Sequence, residues 1–294
     1  MIMKRAQFWL AVCAMALLLL LSIACGKKAE DSSEADNSNG GTTTAGTKYA
    51  ASGNEGTITG KVAFNGTAPE PKKIDTSADA VCAQKNPNAV TEDTVVKDGK
   101  LANAFVYIKD GTTADGKKIG DFTFDTPTSS VTLDQNGCHY KPHVLGAQTN
   151  QKINITNSDP TQHNIHPTPK NNPEWNQSQG SGAPPIEKSF AKSEVLIPVK
   201  CNQHPWMKAY IGVLKHPFFA VSKEDGTFSI PGVPPGKYTV VAWHEKFGEK
   251  SMEVNVPSKG SATADYSFDA AATAVKESSL QVLPALDVPM LAHH

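Results

Sequence analysis

The sequence predicts an all-β protein built from two β-sandwiches. Short runs carry the period of two that a half-buried strand requires, as in Gly56-Thr-Ile-Thr-Gly-Lys-Val-Ala-Phe64, where Ile58, Val62 and Phe64 fall on one face. Asp-Gly and Pro-Pro-Gly turn signals separate such runs. Two clusters of metal-ligating residue types lie 38 residues apart, the spacing of two strand-end loops that meet at one end of a sandwich.

The chain has 294 residues and a formal net charge of -1, a balance that does not point to nucleic acid. Residues 1–24 read as a signal peptide: Lys4 and Arg5, an apolar run from Phe8 to Leu21, then Ser22-Ile-Ala-Cys25. The cysteine at the cleavage point resembles a bacterial lipoprotein box, with Ser22 standing where Leu is usual. The resemblance implies lipid on Cys25. Gly26, rather than Asp, after that cysteine implies the outer membrane of a cell that has one. Residues 25–55 are rich in Ser, Gly, Thr, Asn and Ala and are expected to be a flexible linker.

Strands are expected at Gly56–Phe64 and Leu101–Lys109, with a turn-rich stretch between them that contains Cys82. From Ser130 the period of two dominates: Val131–Leu133, Val144–Gln148, Ile153–Thr156 and Glu194–Val199, then Tyr210–Leu214. Further strands follow in 219–243, around the Asp225-Gly226 and Pro-Pro-Gly turns. Residues 270–294 read as a tail.

The chemistry sits in Val199-Lys-Cys-Asn-Gln-His-Pro-Trp-Met207. Cys201, His204 and Met207 offer thiolate, imidazole and thioether, a soft set that suits copper better than magnesium or calcium. A trigonal copper site needs a second imidazole. The candidate is His163, in Asn157-Ser-Asp-Pro-Thr-Gln-His-Asn-Ile-His166. Cys-x2-His-x2-Met resembles the copper loop of the amicyanin and pseudoazurin branch of the cupredoxins. Asn-x-Asp-x3-His-Asn-x-His resembles the loop that carries their upstream histidine. The resemblance covers about Ser129 to Leu214. It implies a cupredoxin Greek-key sandwich over 128–215 and one mononuclear type 1 copper, with a binuclear site excluded because the loop has no second cysteine. His163 is expected to be the buried imidazole and His204, beside Pro205 and Trp206, the partly exposed one at a docking patch. Met207 would be the weak axial ligand. Asn164 would fix the two loops together. Gln203, where amicyanin has Pro, would donate its N–H toward the Cys201 sulfur.

Residues 219–243 are similar to the second half of a carboxypeptidase-regulatory-like, transthyretin-like sandwich, and Gly56–Val62 with Leu101–Ile108 to its first half. The reading is a smaller transthyretin-like sandwich in two pieces, 56–127 and 216–269, with the cupredoxin inserted between them. Two or three tandem domains are the alternative. An exported protein meets an oxidising compartment, so the spare Cys82 and Cys138 read as one disulfide. Two unpaired buried cysteines, or Cys138 as a ligand beside His139 or His143, are the other readings. His166 falls on the opposite strand face from His163, and His216 and His244 read as structural.

The functional expectation is a lipid-tethered periplasmic or cell-surface electron carrier, not an enzyme. Its partners by resemblance would be c-type cytochromes, dehydrogenases or reductases. Copper delivery is the alternative, although Met207 and Met252 are the only methionines beyond the leader and before the tail. A surface interaction module with a structural metal site is the other.

Overall fold

The computed structural model describes residues 46–270. The leader, Cys25, the first part of the linker and residues 271–294 of the tail lie outside the described residues.

Four principal sheets form a stack with three apolar layers between them. The outermost sheet of the first sandwich has strand order Ile186–Lys188, Ile153–Asn157, Val131–Gln135, Tyr140–Lys141. Facing it is a five-stranded sheet, ordered Gln177–Gln179, His163–Pro167, Glu194–Lys200, Lys208–Leu214, Val144–Gln148. Leu133, Ile153 and Ile155 from one, with Ile165, Ile197, Val199, Ile211 and Val213 from the other, make the first core.

The segments on either side of this sandwich in sequence pair with each other. Gly236–His244 lies antiparallel to Phe105–Thr113, with Val240 opposite Ile108 and Trp243 opposite Phe105. Thr227–Val233 lies antiparallel to Gly56–Asn65, with Ile230 opposite Ile58. Phe219–Val221 and Gly248–Val256 flank the first pair, and Ser261–Thr263 and Tyr266–Asp269 run parallel to Gly56–Asn65. The second core includes Ile58, Val62, Val106, Ile108, Ile230, Tyr238 and Val240.

The two sandwiches share a third apolar layer of Phe105, Tyr107, Val144, Leu196, Leu214 and Val241. Successive side chains of a strand point to opposite faces. Phe105 and Tyr107 therefore meet the first sandwich, while Val106 and Ile108 enter the second core. Such double burial explains why Ala104-Phe-Val-Tyr-Ile108 is continuously apolar. Two facing glycines, Gly146 and Gly212, let the rings seat flat on the five-stranded sheet. A Cβ on Gly212 would stand 2.4 Å from the Phe105 ring, and one on Gly146 would stand 2.4 Å from the Phe219 ring. Polar contacts close the rim of this layer: Glu245 accepts from Tyr210 Oη at 3.1 Å and pairs with His143.

Two sequence expectations change here. The last ten residues of the expected linker are ordered: Thr47–Lys48 pairs with Phe122–Thr123, because the Tyr49 ring buries itself against Phe122, Phe124 and Phe218. The turn-rich stretch contains a helix, α1 (Ala80–Lys85), capped by Asp79.

Gly212→Ala is expected to cost about 1–3 kcal/mol in chemical denaturation, through overpacking against Phe105. A second expectation concerns acid. Burial pushes His216 and His244 down to about 4, whereas an unfolded histidine titrates near about 6.5. Between those values the unfolded chain binds more protons, so each site loses stability as pH falls from about 6.5 toward about 4. His244→Asn should flatten that slope in denaturation curves measured across the window.

Candidate metal centre

Cys201 and Met207 bracket the hairpin between Glu194–Lys200 and Lys208–Leu214, whose last ladder pair is Lys200 with Lys208. The Cys201 N–H donates to Met207 O at 3.3 Å and the Met207 N–H to His204 O at 2.9 Å, which curls the loop inward. His163 opens the neighbouring strand His163–Pro167. His163, Cys201, His204 and Met207 are all buried. The ligand atoms of His163, Cys201 and His204 lie within 4.8 Å of one another. Met207 belongs to the same apolar cluster as Cys201.

The orientation of the imidazoles decides what this cluster can do. His163 Nε2 lies 3.0 Å from Asp159 Oδ2, and His204 Nε2 lies 3.1 Å from Asp79 Oδ2. A carboxylate acceptor fixes each proton on Nε2 and leaves the Nδ1 lone pair free. Those two Nδ1 atoms face each other at 2.8 Å, with Cys201 Sγ 3.7 Å from His204 Nδ1. Two lone pairs that close need a proton or a metal ion between them. The metal-free electrostatics agree. Burial opposes charge on His163, but Asp159 and Cys201 raise it to about 9. Burial holds His204 below its usual value. Burial would raise the Cys201 thiol, but His163 and the amides of Asn164, His204 and Gln203 bring it down. The two facing Nδ1 atoms and a sulfur whose ionisation its neighbours favour form a place for a thiophilic cation, which would displace the protons there. The donor set fits copper.

Asn164 lies against both loops. Its Oδ1 accepts from the Asn202 N–H at 2.7 Å and the Gln203 N–H at 3.3 Å, and lies 3.3 Å from Cys201 Sγ. Its own N–H approaches Sγ at 3.5 Å, and its Nδ2 donates to Asn176 Oδ1 at 2.6 Å. The Gln203 N–H has two acceptors within reach: it donates to Asn164 Oδ1 at 3.3 Å, and it also acts on the Cys201 sulfur, favouring the thiolate.

His204 is a correction. It is 4% exposed, not an open edge, because Asp79 and the start of α1 lie against it. His166 stands apart, held between Asn202 Oδ1 at 3.0 Å and Glu174 Oε1 at 2.6 Å. Cys82 and Cys138 are joined, so Cys138 offers no thiolate. His139 hydrogen-bonds the Gly137 carbonyl through Nδ1, and His143 serves the inter-sandwich rim.

Sequence reasoning missed Asp159 and Asp79. Asp159 was visible as the fixed acid of the histidine loop. It is 2% exposed, and its oxygens accept the Gly137 and Cys138 amides at 2.8 Å each. Both those residues have positive φ, so their successive N–H groups form an anion-binding nest. Asp79 carried only a helix-cap signal.

No family model matches the chain, and no curated protein matches it. Among solved structures it is similar to a Cu-containing nitrite reductase from Thermus scotoductus SA-01, at 21% identity and TM-score 0.27, over 29% of this chain and 22% of that one. It is similar to a purple cupredoxin from Nitrosopumilus maritimus at 19% identity and TM-score 0.25, over 28% of this chain and 98% of that one. It is also similar to amicyanin from Paracoccus versutus at 13% identity and TM-score 0.26, over 37% and 96%. The chain spans about a fifth of the reductase, and in each case the likeness is to part of this chain.

Asn164→Ala would remove the acceptor of the Asn202 and Gln203 amides. It is expected to cost about 0.5–1.5 kcal/mol in denaturation of the metal-free protein, the net worth of a hydrogen bond whose donor water can reach.

Proposed function

We propose that this chain is a single-copper electron carrier rather than an enzyme. The observation that carries the reading is the convergence of two Nδ1 lone pairs and a poised thiol in a buried cluster. His163, Cys201 and His204 would hold the ion, with Met207 as the weak fourth donor. Copper, when bound, would supply one-electron chemistry. The protein's part is to keep the donors in one arrangement for both oxidation states. Asp159 and Asp79 lock the imidazoles, Asn164 locks the loop, and burial keeps water from the ligands. A centre held at so many points suits electron exchange better than metal hand-over, which favours a carrier over a delivery protein.

In this proposal the leader and lipid on Cys25 place the protein on a periplasmic or outer membrane surface, through residues outside those described. Its partners would be redox proteins such as c-type cytochromes, dehydrogenases or reductases.

Titration with Cu(II) should give an intensely coloured protein with one copper per chain, from thiolate-to-copper charge transfer, and Cys201→Ala should abolish the colour. A colourless Cu(II) complex, or preference for tetrahedral zinc, would overturn the type 1 reading.

A further inference from the structure

We propose that Asp79 is a positioning residue of the metal centre, supplied by a segment outside the sandwich that carries the ligands. Its consequence for redox behaviour rests on the copper reading above.

The carboxylate is fixed at both oxygens. Oδ1 accepts the Val81 and Cys82 amides at 2.8 and 3.0 Å as the cap of α1. Oδ2 accepts Thr161 Oγ1 at 2.9 Å and faces His204 Nε2 at 3.1 Å. Four partners leave it no freedom to turn. Two backbone N–H groups and a hydroxyl donate to its oxygens, a surrounding that suits the carboxylate form.

The helix that carries Asp79 is tied to the centre on its other side. Cys82 is bonded to Cys138, and Asn86 Nδ2 donates to the Gly137 carbonyl at 3.2 Å. The Gly137 and Cys138 amides are also the ones that hold Asp159, the carboxylate on His163. One covalent bridge therefore links the supports of both imidazoles. An isolated six-residue helix could not fix a side chain this way, but the disulfide and the cap together do.

Two effects follow. A carboxylate on the outer N–H of a ligand imidazole makes the ring a stronger donor and favours the more positive metal ion. Asp79 thus stabilises Cu(II) relative to Cu(I). It also closes the edge of His204, so a partner protein cannot touch that ring while α1 is in place.

The test uses the full chain with three substitutions. Asp79→Asn keeps a good helix cap and removes the charge. Asp79→Ala removes the partner of His204. Asp75→Asn is the control, a fully exposed acid whose side chain meets the Ser77 amide. In the copper-loaded protein, Asp79→Asn is expected to shift the redox equilibrium at least tenfold toward Cu(I), a rise of about 59 mV, with the charge-transfer band kept. In the metal-free protein, acylation of His204 by diethyl pyrocarbonate, followed by mass spectrometry, should be at least tenfold faster in Asp79→Ala than in wild type. Asp75→Asn should change neither. A potential for Asp79→Asn equal to that of Asp75→Asn overturns the electronic role. Equal acylation rates in wild type and Asp79→Ala overturn the contact itself. A wild-type chain that takes up no Cu(II) overturns the copper reading alone, and the acylation rates still decide for or against Asp79.

Discussion

Two imidazole lone pairs cannot face each other at 2.8 Å without a positive charge between them. That constraint organises the centre. It arises because each ring is held from behind by a carboxylate, and each carboxylate is held in turn by backbone amides. The amides belong to an α1 terminus and to a nest at residues 137–138, which the Cys82–Cys138 bond joins. The loop 201–207 supplies one of the two imidazoles, His204, and brings a thiol and a thioether to the same place. Asn164 completes that placement by accepting the Asn202 and Gln203 amides of the loop.

The same segment that supplies Asp79 belongs in sequence with the strands of the second sandwich. The two sandwiches are therefore coupled at two levels. One is apolar, through Phe105, Phe219, Trp243 and the glycine pair that admits the rings. The other is polar and covalent, through the disulfide and the Asp79–His204 contact. A closed loop of this length is worth about 3–5 kcal/mol in the chain-entropy view, if native strain is small. Its structural effect here is local: it makes a short helix rigid enough to carry a carboxylate for a buried ring.

Several parts of this protein were legible from the residues. Period-two runs located the principal strands, because a sheet with one wet face must alternate. The continuous apolar run at 104–108 belongs to a strand that the structure covers on both sides. His163, Cys201, His204 and Met207 were legible as candidates from their donor types and spacing, and the fold brings the donor atoms of His163, Cys201 and His204 within 4.8 Å of one another. Asn164 followed from its place beside His163. The linker was misread in 46–55, where a single aromatic, Tyr49, orders a segment whose composition looks unstructured.

What the sequence by itself determined was local: the strands, the turns between them, and a donor set on two loops. Only the tertiary structure decided that His204 is closed, that the Gln203 N–H also reaches Asn164, and that Asp79 stands behind a ring 125 positions away. Periodicity and spacing report the neighbours a residue has along its own strand or loop. Exposure and hydrogen-bond partners depend on which distant segment comes to lie on top, and that is set by pairing and burial across the whole chain.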